Sequence, residues 1–174
     1  MSVETITQGE TILQKENTIL PAMKLIGINA RTRNADEFNP ETAKILSTVQ
    51  NYFHNGLYDK IQSRKTPGKT YCVYTEYETD QTGAYTYFIG EEVDADSDVP
   101  EGLSTITIPA QSYAKFTTES GQMPTVCINA WMDIWKMTSE DFGGERSYSA
   151  DFEVYDERAL DHANTVLDIY IGIK

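Results

Sequence analysis

Asp151-Phe152-Glu153-Val154-Tyr155-Asp156 reads as a strand, because Phe152, Val154 and Tyr155 favour the pleated backbone. Side chains alternate across a strand, so Glu153 and Tyr155 share one face and Phe152 and Val154 the other. One face therefore sets a carboxylate beside an aromatic ring. That pairing suits a lipophilic cation: the carboxylate neutralises the charge, and each ring face adds roughly 0.5–2 kcal/mol. The competing reading is an exposed glutamate on an edge strand, since Glu is seldom buried.

Outward from this strand, the chain closes with another over 165–173, Thr-Val-Leu-Asp-Ile-Tyr-Ile-Gly-Ile. Before it, 138–150 reads as a loop around Gly143-Gly144. Pro124 opens a helix carrying Val126, Cys127, Ala130, Trp131, Ile134, Trp135 and Met137. Strands over 104–108 and 113–118 are joined through Pro109-Ala110, and 94–102 is an acidic linker. Segments 71–79 and 84–93 form a hairpin about a turn at Asp80-Gln81-Thr82-Gly83. Asn39-Pro40-Glu41 has the chemistry of a helix start: a capping Asn, a Pro with preset φ, and an acid at the positive end of the dipole. Ala43, Leu46, Val49 and Phe53 follow at helical spacing, flanked by Ile45 and Tyr52, and Asn55-Gly56 supplies the stop. Residues 23–31 form a branched, apolar strand. Residues 11–20 form another, after loose turns.

Strand, helix, strand, strand thus occurs over 23–93 and again over 113–173. The joints match: Leu20-Pro21-Ala22 and Ile108-Pro109-Ala110 stand 109 − 21 = 88 residues apart. At that offset, 36–53 falls on 124–141 and the helices correspond. The agreement indicates an internal duplication. The halves, about 19–93 and 104–174 of one domain over 1–174, are expected to join into one antiparallel sheet with a helix from each. A ligand site is expected in the cleft between them.

Composition excludes several classes. With 14 Lys plus Arg against 27 Asp plus Glu, the net charge is -13, which repels phosphate backbones. No direct nucleic-acid partner is expected. The N-terminal 1–10 is polar and lacks an apolar signal core, and no run approaches a membrane span. Cys72 and Cys127 lie in apolar segments and read as buried free thiols; with His54 and His162 they have no metal-ligand spacing. No metal or cofactor is expected, and the expected compartment is a reducing cytoplasm. There is no Gly-x-Ser-x-Gly elbow, phosphate loop or His-Glu-x-x-His.

Trp131 and Trp135 lie four apart on one helical face. They form either core or a ligand wall, because indole rarely buries fully and wants an N–H partner. On the hairpin, Cys72, Tyr74 and Glu76 share one face, as do Tyr85, Tyr87, Ile89 and Glu91. Tyr170 on the last strand is placed beside Tyr155 or Glu153.

Tyr-Thr-Tyr-Phe-Ile-Gly-Glu-Glu-Val (85–93), Ile-Pro-Ala-Gln-Ser-Tyr-Ala-Lys-Phe (108–116), Ala-Trp-Met-Asp-Ile-Trp (130–135), Asp-Phe-Glu-Val-Tyr-Asp (151–156) and Ile-Tyr-Ile-Gly-Ile-Lys (169–174) together resemble the GyrI-like small-molecule-binding family. This is the effector-binding domain of AraC- and MerR-type multidrug regulators, and the resemblance spans roughly 19–174. It implies an α+β fold of duplicated βαββ units in one curved antiparallel sheet with two main helices. It also implies an aromatic pocket between the halves, with a buried glutamate at Glu153 that pairs with lipophilic cations and a wall residue at Trp131. Tyr74, Tyr87 and Tyr170 fall on lining strands, with Tyr155 and Trp135 beside them. Family regulators place a DNA-binding domain ahead of this one. A stand-alone version is expected here: a non-enzymatic sensor or sequestering protein linked to transcription regulation. The alternatives are an interaction module for a regulator or DNA gyrase, and a hydrolase using Glu153 as base.

Overall fold

Branched and aromatic residues at period two build nine strands among the described residues, 3–8 and 11–174 of the computed structural model. Met1, Ser2, Gly9 and Glu10 of the polar N-terminal stretch lie outside them. The chain runs β1 (Val3–Gln8), β2 (Thr11–Leu20), β3 (Met23–Arg33), α1 (Asn34–Glu37), α2 (Ile45–His54), β4 (Thr70–Thr75), β5 (Ala84–Val93), β6 (Ser104–Ile108), β7 (Gln111–Thr118), α3 (Thr125–Ile134), α4 (Ser139–Phe142), β8 (Arg146–Tyr155) and β9 (Asp168–Ile173). All strands join one antiparallel sheet in the order β1-β2-β7-β9-β8-β4-β5-β3-β6. This is the α+β architecture expected, with two main helices and two single-turn ones.

Apart from β1, the order is symmetric about the central β8–β4 pair. Each half lends its leading strand to the other: β2 runs into β3 yet pairs with β7, and β6 runs into β7 yet pairs with β3. The first strands begin 111 − 23 = 88 residues apart, as the Pro-Ala joints suggest, but the helices begin 125 − 45 = 80 apart. The match of 36–53 onto 124–141 is therefore displaced. The first half spends its extra residues on α1 and the turn after it.

That turn also overturns the helix start at Asn39. The Asn39 Oδ1 accepts from Glu41 N (3.0 Å), and its carbonyl accepts from Thr42 N and Ala43 N. The capping chemistry closes a turn instead. The first amides of α2, on Lys44 and Ile45, donate to the Glu37 carboxylate at 2.9 and 3.1 Å. The inward face of α2 is Ile45, Val49 and Tyr52; Leu46 and Phe53 are 65% and 45% exposed. Elsewhere β1 replaces the loose turns, and the 71–79 strand stops at Thr75, where Glu76 turns to φ 51°. The 138–150 loop holds α4 and half of β8, and 165–173 is a continuous strand only from Asp168, after an isolated bridge between Thr165 and Gly121.

Both long helices lie on one face of the sheet. The other face has its own core, which gathers Met23, Leu25, Tyr71, Phe88, Ile108, Tyr113 and Phe152 from strands near both ends of the sheet. Tyr113 of β7 and Phe152 of β8 are separated by β9, yet their rings meet at 5.3 Å, so the sheet curves toward this face. Gly27 and Gly90 face each other across β3 and β5 on this concave side.

Under α2, Glu91 of β5 is 1% exposed and accepts from Tyr52 Oη (2.6 Å) and Thr70 Oγ1 (3.0 Å). Burial pushes its carboxyl above the ordinary value of 4.5, and the two hydrogen bonds only partly offset this. A carboxyl raised in the fold ionises first in the unfolded chain. Its contribution to stability is complete below the unfolded pKa and is lost as pH rises through the folded one. Melts from about pH 4 to about pH 8 are expected to show wild type losing ground to Glu91→Gln as pH rises. A constant gap between the two would refute this.

Candidate functional site

The two central strands place Glu153. β8 pairs with β4 so that Glu153 stands opposite Cys72, and with β9 so that it stands opposite Ile169. Parity then puts Asp151, Glu153 and Tyr155 on the helix-bearing face with Cys72 and Tyr74. Over this face lies α3, whose Cys127 and Trp131 are one turn apart and point the same way. The result is a carboxylate 2% exposed with four side chains donating to it: Tyr74 Oη (2.8 Å), Trp131 Nε1 (2.5 Å) and Cys127 Sγ (3.4 Å) to Oε2, and Tyr155 Oη (2.7 Å) to Oε1. None of the ion pairs among the described residues includes Glu153. Burial first, and then the Glu153 charge, pushes Tyr74, Tyr155 and Cys127 well above their ordinary pKa values. They stay protonated and remain donors.

A cleft of about 320 Å³ opens between the halves. Asn34, Phe38 and Ile45 bound it from the first half, Tyr74, Tyr77 and Tyr85 from the hairpin, and Met123, Cys127, Ile128, Trp131 and Trp135 from α3 and its entry. Tyr74, Cys127 and Trp131 do double duty, since each lines the cleft and bonds Glu153. The carboxylate therefore sits one side chain behind the wall. The Tyr74 and Trp131 rings meet at 5.0 Å, Trp131 and Trp135 at 6.4 Å, and Phe38 closes on Trp135 at 6.5 Å.

Of the residues read from sequence, Glu153, Trp131, Tyr74 and Tyr155 come together, and Trp135 forms wall. Tyr87 is buried edge-on behind Tyr74 at 5.4 Å and supports the wall without lining it. Tyr170 is a correction. It pairs with Phe152, stacks on that ring at 4.6 Å, and lies on the concave face away from Glu153. The register between β8 and β9 decides this, and a single-residue slip would have reversed it. Sequence reasoning missed Cys127 as a Glu153 ligand. Its place four residues before Trp131 was the available signal.

Asp151 is fully buried on the face of Glu153. It accepts from Arg146 Nη2 (2.6 Å), Tyr77 Oη (2.6 Å) and Gly172 N (2.8 Å). β8 bulges between Arg146 and Asp151, and Tyr148 within the bulge takes φ 51°. The Arg146 guanidinium lies 4.4 Å over the Tyr148 ring. Arg146, Gln81 and Asn34 also line the cleft.

A family model described as Cass2, integron-associated effector binding protein, matches residues 18–173. The chain is 29% identical to an integron cassette protein, VCH_CASS2, from the mobile metagenome of Vibrio cholerae; the structures agree with a TM-score of 0.70 over 92% of this chain and 95% of that one. It is 26% identical to YobU, a candidate transcriptional regulator of Bacillus subtilis strain 168, over 90% of this chain and 96% of YobU. It shares the fold of SAV2435, solved bound to tetraphenylphosphonium, with a TM-score of 0.71, 17% identity, and coverage of 92% and 93%. No helix among the described residues is long and apolar enough to cross a membrane.

Proposed function

The chain belongs to the integron-associated effector-binding family, and from that premise we propose that its effector is a lipophilic cation held in the aromatic cleft over Glu153. The observation that carries this is a buried carboxylate held by neutral donors with no countercharge among the described residues. An isolated ion in a low-dielectric site is costly, and a cationic ligand relieves that cost. The geometry supports recognition in a second way. Trp131 and Tyr74 donate to the carboxylate and line the cleft, so their hydrogen bonds raise the electron density of the rings a cation would rest on. With both carboxylate oxygens engaged, recognition is favoured over general-base chemistry. The role proposed is sensing or sequestering within transcription regulation, by one domain spanning the chain. The tetraphenylphosphonium bound by SAV2435 is the natural first probe.

Thermal melts with tetraphenylphosphonium and with neutral triphenylphosphine oxide test the reading. At a hundredfold excess over Kd the cation adds about 2.7 kcal/mol, a rise of several degrees for a chain of this size. The neutral compound is expected to give much less. Equal stabilisation by both, or by neither, would overturn the reading.

A further inference from the structure

The cation reading uses the aromatic wall of the cleft and leaves its polar wall idle. There Asn34, Gln81 and Tyr85 are satisfied, with Tyr148 behind the wall: Tyr85 Oη donates to Asn34 Oδ1, Asn34 Nδ2 to the Gln81 carbonyl, and Tyr148 Oη to Gln81 Oε1, while the Glu37 carboxylate accepts from the Lys44 and Ile45 amides. Arg146 is different. Its side chain is 7% exposed, yet among the described residues only Nη2 has a hydrogen-bond partner, Asp151, and Nε has none. A guanidinium offers five N–H groups in a planar fork, and buried donors of this kind are nearly always engaged. The backbone beneath it is also unusual. The bulge carries Tyr148 into the left-handed region, a conformation kept where surrounding structure enforces it and common at ligand sites.

We propose that Arg146 anchors a second subsite that takes a carboxylate on the ligand, so that the cleft reads a cation and an anion on one molecule. Among the described residues Nη1 also lacks a partner and, unlike Nε, is not fully enclosed, so a ligand carboxylate can accept from Nη1 beside the Asp151 contact on Nη2. Asp151 already balances one unit of the arginine charge, so the fit lies in geometry and hydrogen bonding more than in net attraction. Asp151, which holds Arg146, and Glu153, behind the aromatic wall, are two residues apart on one face, so their Cα atoms lie about 7 Å apart. That is the reach of a short alkyl chain. This inference rests on the cation reading for the first group and on Arg146 alone for the second.

Calorimetric titration of the full chain with butyltriphenylphosphonium and (carboxybutyl)triphenylphosphonium tests it. The nitrogen-15 resonance of Arg146 Nε–H is followed in parallel. The carboxylate tail is expected to tighten binding by about tenfold and to shift that resonance, and the ethyl ester of the tail to do less. In the double variant Arg146→Gln, Asp151→Asn, which removes both buried charges together, the two phosphoniums are expected to bind alike. Arg146→Lys keeps the charge, loses the fork and serves where the double variant does not fold. A tail that brings no gain in wild type, or a gain that survives in these variants, overturns the subsite while leaving the cation reading intact. Phenylpentanoate, a ring and carboxylate without a cation, separates the two the other way. If it shifts the Arg146 resonance while neither phosphonium binds, the subsite stands and the cation reading falls; if nothing responds, both fall.

Discussion

Glu153→Gln is expected to weaken tetraphenylphosphonium binding by about a hundredfold or more while leaving the chain folded. Truncating one member of a buried charge pair typically costs about 2–5 kcal/mol, and here the ligand supplies the other member. The fold survives because the amide is nearly isosteric and the donors are adaptable. Its oxygen replaces Oε2, where Trp131 Nε1 can only donate, and its nitrogen replaces Oε1, where the Tyr155 hydroxyl can turn to accept. Glu153→Ala lacks this rescue and leaves buried donors unpaired at about 1–3 kcal/mol each. Calorimetry on the Gln variant, with a melt to confirm folding, is the check. Undiminished affinity in a folded Glu153→Gln protein would remove the charge from the recognition.

Gly27→Ala is expected to prevent stable folding. A Cβ on Gly27 would stand 1.9 Å from the Ile89 carbonyl oxygen and 2.7 Å from the Gly90 Cα, both backbone atoms of the paired strand. Neither atom can swing aside as a side-chain tip would. The strands would have to part where Leu25, Ile26, Phe88 and Ile89 are wholly buried. The loss is put above about 4 kcal/mol, a large share of the roughly 5–15 kcal/mol that holds a domain together. Gly90→Ala meets the Ile26 carbonyl oxygen at 2.2 Å and is expected to fail in the same way. Denaturant unfolding of either variant at wild-type midpoint would contradict so close a crossing.

What the sequence disclosed of this fold was what local chemistry encodes. Alternation over 151–156 placed Glu153 and Tyr155 on one face, and helical spacing put Trp131 and Trp135 on another element. Asn39-Pro40-Glu41 misled because an Asn side chain caps a turn through the same hydrogen bond it uses at a helix start. Tyr170 misled because its face depends on register with β8, which no single strand specifies. Arg146 escaped notice because a bulge breaks the period of two on which strand reading relies. The exchanged leading strands were hidden for a related reason. Element order shows which strand follows which, not which strand pairs with which.

The exchange of leading strands sets a timetable for the chain's birth. Leu20 of β2 waits for Gln111 of β7, which is made 111 − 20 = 91 residues later. At the pace of translation this is a delay on the order of ten seconds. Through that interval the hairpin of β4 and β5 can already form, while β2 has its neighbour β1 but lacks its other partner, β7, and the helix α3 that packs on it. Glu153 and three of the four donors around it are then still to be synthesised. On the reading proposed above, a chain released before α3 and β8 are made lacks Trp131 and Glu153 and is expected not to hold the cation.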